Sequence, residues 1–514
     1  MKKRMSAATV IICLFSCSLL SAAAGEYNVC DYGAVADGKT LSTAAIQRTI
    51  DACAASGGGK VIIPPGAYLS GPIFLKSHLQ LEIMAGATLL ADTNISAYPG
   101  IDGRWEGIER RVYASLITGH NLENVSITGR GRLDGQGEVW WRAHHETAAL
   151  RKIAGLKGRE PENPPGAPLK WPRPRVINLY DCSNVLIRDL TIVNSPSWTI
   201  HPVYCENVTV ENITIMQPYD SPNTDGINPE SCRNVRILNC FVDCGDDCIT
   251  IKSGYNQDGR RVNRPCEGIV IANCTFAHGR SAIGIGSETS GGVRDVVISN
   301  CVFRGTLRGL RVKSARGRGN VVENIRAINI VMDQVGTGIS LDMFYGEKDD
   351  SLRPVDETTP HFRDIHYSHI TGRGLQRAGE ILGLPEAPMT GVTLSDIDLE
   401  AESGLVVKFT QDIDLHDMVI NVRKGPALKI SASADVGIDN LSTRTPVQGE
   451  PLIHLEKISR ALIRNCSAAP GMATFLLLSA AENEQIVLSR NWLENAKHPF
   501  ILDGARNDAI IEVK

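Results

Sequence analysis

The sequence predicts an all-β protein, a single-stranded, right-handed parallel β-helix with an N-terminal capping helix. Three observations carry this. A short pattern of alternating apolar and polar residues recurs along most of the chain. Its copies close on Asn or Asp, and helical stripes are nearly absent from these positions.

The pattern reads apolar, any, apolar, any, then Asn or Asp. It appears as Val185-Leu-Ile-Arg-Asp189, Val208-Thr-Val-Glu-Asn212, Val235-Arg-Ile-Leu-Asn239, Ile269-Val-Ile-Ala-Asn273, Val296-Val-Ile-Ser-Asn300 and Ile325-Arg-Ala-Ile-Asn329. Later copies start at Ile365, Val392, Ile413, Val436, Ala461 and Ile486, and an early one at Val125. Alternation is the strand period of two. Strands about two dozen residues apart with no helix between them cannot build βαβ units. A solenoid buries their apolar faces by stacking one turn on the next. A β-sandwich or propeller would show two-residue Asn-Gly or Asp-Gly turns at closer spacing. Asn or Asp closes ten of the thirteen copies, and these residues tolerate left-handed backbone angles and bond between stacked turns. Cys240, Cys274, Cys301 and Cys466 each follow a repeat Asn, which predicts a buried column of thiols.

The ends and interruptions follow in order. Lys2, Lys3 and Arg4 precede an apolar run from Ala7 to Leu20 and the small residues Ala22 to Ala24. This is the pattern of a signal peptide over 1–24, and it implies a secreted or periplasmic protein. The run is short for a bilayer core of about 30 Å. Leu14-Phe15-Ser16-Cys17 is a loose fit to a lipidation site. Residues 25–514 then form a single catalytic β-helix domain, with 25–60 as its cap. Within the cap, the stretch from Thr43 to Ala55 sets Ile46, Ile50 and Cys53 on one helical face. Residues 101–172 read as a loop-rich insertion at the cleft, with Trp105, Trp140, Trp141 and Trp171, a helix around His144 to Leu156 and a Pro-rich stretch from Pro161 to Pro174. These aromatics either line a cleft or pack the insertion onto the solenoid. The net charge of -4 excludes a general attraction to nucleic acid or acidic membranes. A capped solenoid is expected to be a monomer, without a membrane span.

Chemistry concentrates on consecutive turns. Asn223-Thr-Asp225-Gly226 precedes the copy at Val235, and Cys244-Gly-Asp246-Asp247-Cys248 follows it. The 21 residues from Asp225 to Asp246 are close to one turn, so three carboxylates should stand side by side. Mutual repulsion raises one pKa and leaves the others ionised, which supplies an acid for a leaving oxygen and a base for water. A calcium site is the competing reading. His278-Gly279 and Arg311-Val-Lys313 come on the next turns, and six Lys or Arg with no acid lie between Val296 and Val322. Alternation puts Arg311 and Lys313 on one strand face, a receptor for substrate carboxylates.

These four segments, in this order, resemble the signature of glycoside hydrolase family 28, the polygalacturonases. Gly129-Arg-Gly131, Leu133-Asp134-Gly135-Gln136-Gly137, Ser195-Pro-Ser-Trp198 and Gly284-Ile-Gly286-Ser287-Glu288 are similar too. The resemblance implies inverting hydrolysis of α-1,4-linked galacturonate in pectin, with no cofactor and no metal. Asp246 would be the general acid, Asp225 and Asp247 would hold and deprotonate water, and His278 would tune the acid by hydrogen bonding. Arg311 and Lys313 would bind substrate carboxylates with support from Asn223, and Tyr345, rather than Phe344 beside it, would stack on a sugar. It also implies a Cys248–Cys274 disulfide, against the thiol column. Arg280 after His278-Gly279 departs from the pattern at a subsite beside the cleavage point. The insertion and the long loop Tyr255 to Pro265 are both able to close one end of the cleft, which favours exo action. A rhamnogalacturonan hydrolase, a pectate lyase and a non-catalytic polysaccharide-binding β-helix are the alternatives.

Overall fold

The computed structural model describes residues 25–156 and 163–513, so the signal peptide expected at 1–24 and the lipidation variant at Cys17 lie outside the described residues. The repeat becomes a ladder of parallel strands in the register that its own pattern sets. Val125 pairs with Val185, Val185 with Val208, Val208 with Val235 and Val235 with Ile269. The line continues through Val296, Ile325, Ile365, Val392 and Ile413, and again from Val436 through Ala461 to Ile486. The first and third residues of most copies point inward and are fully or almost fully buried, as at Val208, Val210, Ile269 and Ile271. The architecture is a right-handed parallel β-helix.

All thirteen closing positions have a left-handed backbone, including Gly129, His369 and Arg490, where neither Asn nor Asp stands. The bend is therefore a demand of the turn, and among residues with a Cβ, Asn or Asp meets it at the least steric cost. The Asn side chains bond from turn to turn: Asn300 donates to Asn273 (3.2 Å) and Asn329 to Asn300 (2.7 Å). A second ladder, Asn184 to Asn124, Asn207 to Asn184 and Asn234 to Asn207, runs along another edge.

Helix α1 (Thr43–Ala55) lies at the N-terminal end and buries Ala45, Ile46, Thr49, Ile50 and Cys53. Gly57 and Gly58 end it with positive φ, and a Cβ on Gly58 would sit 2.3 Å from the carbonyl oxygen of His78. All twelve described cysteines are free. Cys240, Cys274 and Cys301 stack on successive turns as a buried thiol column, and Cys182, Cys205, Cys232 and Cys266 form another. The Cys248–Cys274 disulfide is not formed. Cys274 stands in the first column, while the Cys248 sulfur is 3.7 Å from that of Cys244.

Residues 100–116, and 135–156 with 163–176, leave the solenoid on either side of the turn that carries Val125. A hairpin pairs Gly100–Trp105 with Ile108–Tyr113, and helix α2 spans Glu138–Ile153. This helix starts six residues before the expected one. Trp140, Ala143 and Thr147 bury one face of it, and Trp140 packs edge-on against Tyr98 and Tyr113. The loop after Gly254 contains helix α3 (Asn256–Val262), ended by Asn263 in a left-handed conformation. Among the described residues no helix is long and apolar enough to cross a membrane.

Candidate active site

The site is built on the outward face of a third parallel ladder. Its strands include Ile249–Ile251, Ile283–Gly286, Arg308–Lys313 and Thr337–Asp342. Strand alternation turns Ile249, Ile251, Ile283 and Ile285 into the core and their neighbours outward. Pairing then sets Thr250 beside Gly284 and Gly284 beside Arg311. One pleat on, Gly286 stands beside Lys313. The two glycines remove side chains from the middle rung and leave a trough between its neighbours. A Cβ on Gly284 would come within 3.3 Å of Asp247 Oδ2. Through that trough the Lys313 ammonium donates to Asp247 Oδ2 at 2.7 Å.

Asp225, Asp246 and Asp247 meet at one end of the trough, and one carboxylate oxygen of each lies within 4.8 Å of the other two. Asp225 is buried and accepts from Asn228 (3.0 Å) and Thr250 (3.3 Å). Asp247 is buried; its Oδ2 takes Lys313, and its Oδ1 takes no hydrogen bond from the described residues. Asp246 is the most open of the three, with its side chain 16% exposed and the Arg280 guanidinium 3.5 Å away.

The environments push the three apart in acidity. Burial, with the Asp247 charge added, raises Asp246 to about 6. Burial and the Asp246 charge drive Asp225 well above the usual carboxylate range. Burial acts on Asp247 in the same direction, but Lys313 and Arg311 outweigh it and hold it at about 2. The cluster therefore offers an ionised carboxylate and a protonated one in the same mildly acidic range. Three convergent carboxylates are also a donor set for a hard divalent cation. Here Lys313 already supplies a fixed positive charge, and the raised pKa values of Asp225 and Asp246 leave a proton on the cluster.

The other expected residues gather in the same cleft, of about 380 Å³, which Asn223, Arg311, Lys313 and Tyr345 line together with the three aspartates. Arg311 and Lys313 stand 5.3 and 5.4 Å from the Tyr345 ring centre. The structure separates Tyr345 from its neighbour: Tyr345 is 38% exposed at the cleft, whereas Phe344 packs on the core near Phe409. Asn223 has a left-handed backbone and accepts from Arg173 (2.7 Å). His278 stands apart from the others. Its Nδ1 bonds to Asp243 (3.1 Å) and its ring meets Tyr219, while its hydrogen bond to Asp246, expected from the resemblance, is not made.

Several residues escaped the sequence reading. Arg173 is buried and braces the carbonyls of Pro196 and Pro222, so it fixes the loop that carries Asn223. Lys252 lines the cleft and donates to Glu288 (3.0 Å). Its signal was available, since the alternation of Ile249-Thr-Ile-Lys252 turns it to the same face as Thr250. Trp198 also lines the cleft and carries Trp105 of the hairpin stacked at 4.7 Å.

The insertion walls one flank. Arg104 makes a fully buried ion pair with Glu230 (3.0 Å), and His201 bonds the other oxygen of Glu230 (3.0 Å). The Gly107 carbonyl at the hairpin tip accepts from the Tyr255 amide (3.0 Å), and Arg261 of α3 pairs with Glu109 (2.5 Å). The two loops expected to close the cleft are thus joined to each other. Between the hairpin, α2 and residues 163–173 lies a second hollow of about 400 Å³, which shares Glu106 and Asn223 with the cleft of the three aspartates. Trp105 and Trp171 line it, whereas Trp140 serves packing, so the insertion aromatics divide between the two roles.

The chain matches the family described as Glycosyl hydrolases family 28 over residues 53–422. It is 35% identical to a probable polygalacturonase of Vitis vinifera over 392 residues, 74% of this chain and 76% of the relative. An endo-polygalacturonase of Pectobacterium carotovorum subsp. carotovorum is 30% identical over 396 residues, 73% of this chain and 87% of the relative. Among solved structures, a hyperthermoactive exopolygalacturonase from Thermotoga maritima is similar with a TM-score of 0.70 at 33% identity, over 77% of this chain and 92% of that one.

Proposed function

The chain belongs to glycosyl hydrolases family 28 and is an enzyme of the polygalacturonase type, and on that premise we propose that it hydrolyses the α-1,4 galacturonate backbone of pectin from a chain end, with inversion. The observation that carries the reading is the Asp225–Asp246–Asp247 cluster set against the Arg311–Lys313 pair in one cleft.

Asp246, the most open carboxyl and protonated below about pH 6, gives its proton to the leaving glycosidic oxygen. Asp247, ionised throughout that range, takes the proton of the attacking water. Asp225 holds the same water from the neighbouring turn. Arg311 and Lys313 seat the carboxylate of the galacturonate being cleaved, Tyr345 stacks on that sugar, and Asn223 supports the adjoining one. His278 acts at the rim, through Asp243.

The carboxylate spacing sets a second reading beside inversion. The closest oxygens lie nearer than the roughly 6.5–9.5 Å usual for inverting pairs, and such closeness favours a retaining route with Asp247 as nucleophile. Proton NMR of the first product separates them: inversion releases the β-anomer, retention the α-anomer.

Exo action rests on the joined hairpin and α3, which wall the flank next to the second hollow. Chromatography of an early polygalacturonate digest tests it. Mono- or digalacturonate from the first minutes, with viscosity sustained, is the expected result. A sharp fall in viscosity ahead of reducing sugar would replace exo with endo action, and unsaturated products would overturn hydrolysis itself. A monomer is the state we infer, because helix α1 covers the open N-terminal end of the solenoid. A polymeric substrate and the N-terminal pattern of residues 1–24 together favour export from the cell.

A further inference from the structure

We infer that Arg308 is a further specificity-determining residue of the reaction, the receptor for the carboxylate of a second galacturonate, distinct from the one seated by Arg311 and Lys313. The inference rests on the hydrolytic reading above.

Six Lys or Arg lie between Val296 and Val322, and the fold sorts them by partner. Lys313 is spent on Asp247, Arg316 on Glu386 and Glu347, and Arg318 on the Ser287 carbonyl and Asn256. Arg304 is exposed and stands outside the cleft. Arg308 and Arg311 remain. Both line the cleft of the three aspartates, and in both the Nε–H is buried with no hydrogen-bond partner among the described residues. The acid on the following rung, Asp342, stands beside Lys313 in register and takes the Phe344 amide (2.8 Å). Buried guanidinium donors without an acceptor cost free energy, and an anionic ligand in the cleft relieves that cost.

The place of Arg308 on its strand explains why it is available. Strand parity would turn it inward with Leu310 and Val312. It is the first residue of the strand, however, and it reaches the cleft from the bend at Gly305. Its backbone is pinned, since its carbonyl accepts from the Ala282 amide and the Thr306 hydroxyl, each at 2.9 Å. By the rise of a strand it stands roughly 10 Å from Arg311. A carboxylate centred between Arg311 and Lys313, one pleat apart, leaves Arg308 to a different one. Arg280 also lines the cleft, one turn earlier, but it lies 3.5 Å from Asp246 and already answers that charge. Two free carboxylates in the cleft then become a condition of tight binding, and a methyl ester on the second unit leaves the Arg308 donors stranded.

The test is kcat and KM for the full chain, Arg308→Met and Arg308→Lys, on polygalacturonate and on partly methyl-esterified pectin. Arg308→Met should raise KM for polygalacturonate about tenfold, the loss of one charge-assisted contact, with kcat within about threefold. The preference for polygalacturonate over the esterified pectin, taken as the ratio of kcat/KM, should fall by about fivefold or more, and Arg308→Lys should recover most of it. An unchanged KM, or a KM raised by the same factor on both substrates, would reduce Arg308 to a structural role and overturn the inference. A loss confined to kcat would overturn it equally. Should Arg308→Met fail to fold, Arg308→Gln keeps a neutral polar head and is read in the same way. Wild-type protein inactive on polygalacturonate would instead sink the hydrolytic reading. Calorimetric titration of trigalacturonate into wild type and variant would then judge Arg308 alone, weaker binding by the variant supporting it and equal affinity overturning it.

Discussion

Replacing Asp246 by Asn should inactivate the enzyme and, at neutral pH, stabilise it. The carboxyl is raised from 3.8 to about 6 by burial and by Asp247. At about 1.4 kcal/mol per pH unit, forcing it to ionise in the folded state costs roughly 3 kcal/mol. An acid whose folded pKa is raised brings no penalty below its unfolded pKa, near 4. The penalty grows as pH rises and is complete above about 6. Asn has the shape of the protonated acid and carries no charge. The variant should therefore match the wild type at pH 4 and exceed it at pH 7.5. An unfolding entropy of about 2 cal/mol/K per residue over roughly 490 residues converts that difference into a melting temperature about 3 °C higher. Loss of the proton donor should cost on the order of 10²–10⁴ in kcat, read as reducing sugar from polygalacturonate. Thermal melts at the two pH values and the rate assay on the same preparations complete the test. A variant that melts with the wild type at pH 7.5 would refute the raised pKa, and one that still cleaves at a tenth of the wild-type rate would refute the acid role.

Lys313→Met removes the ammonium 2.7 Å from Asp247 and leaves burial to raise a carboxyl now held at about 2. The acidic limb of kcat/KM should move up by more than one pH unit and KM for polygalacturonate should rise, both read from pH-resolved kinetics. Arg280→Ala takes away the exposed cation 3.5 Å from Asp246. The alkaline limb should then move up by a few tenths of a unit, an effect that vanishes at high salt because the group is screened. Arg104→Ala strands Glu230 in a fully buried site, at a cost of about 3–5 kcal/mol. The protein should melt lower, and release of the hairpin should let longer oligomers appear in chromatograms of early digests. A chelator should leave the initial rate on polygalacturonate unchanged, since Lys313 and a bound proton already balance the aspartate cluster.

The solenoid was legible because its signal is one-dimensional. Each turn repeats one strand pattern, so the registers Val185 to Val208 to Val235 follow from aligning copies within the sequence. The left-handed bends were legible through Asn and Asp, whose short side chains accept that conformation. Asp225, Asp246, Asp247, Arg311 and Lys313 were legible as a group for the same reason, since residues at equal phase on successive turns must lie side by side. What the turn spacing could not convey is depth and direction within the cleft. Lys252 looked like one more alternating residue until Glu288 and Trp198 were seen to bury it. His278 shares the phase of the cluster, yet its ring turns to Asp243. Cys248 lies within a turn of Cys274, yet the columns separate them. The insertion was least legible, because Trp140, Arg104 and Arg173 take their meaning from partners far along the chain.

By itself, the amino-acid order determined the architecture and which carboxylates and cations share a face, since a repeating turn converts position in the chain into position in space. Only the folded molecule decided which carboxyl is ionised, which aromatic ring faces the cleft and which flank is walled. Those outcomes depend on burial and on distances of a few ångströms between side chains from different turns, and no pattern along a single strand encodes them.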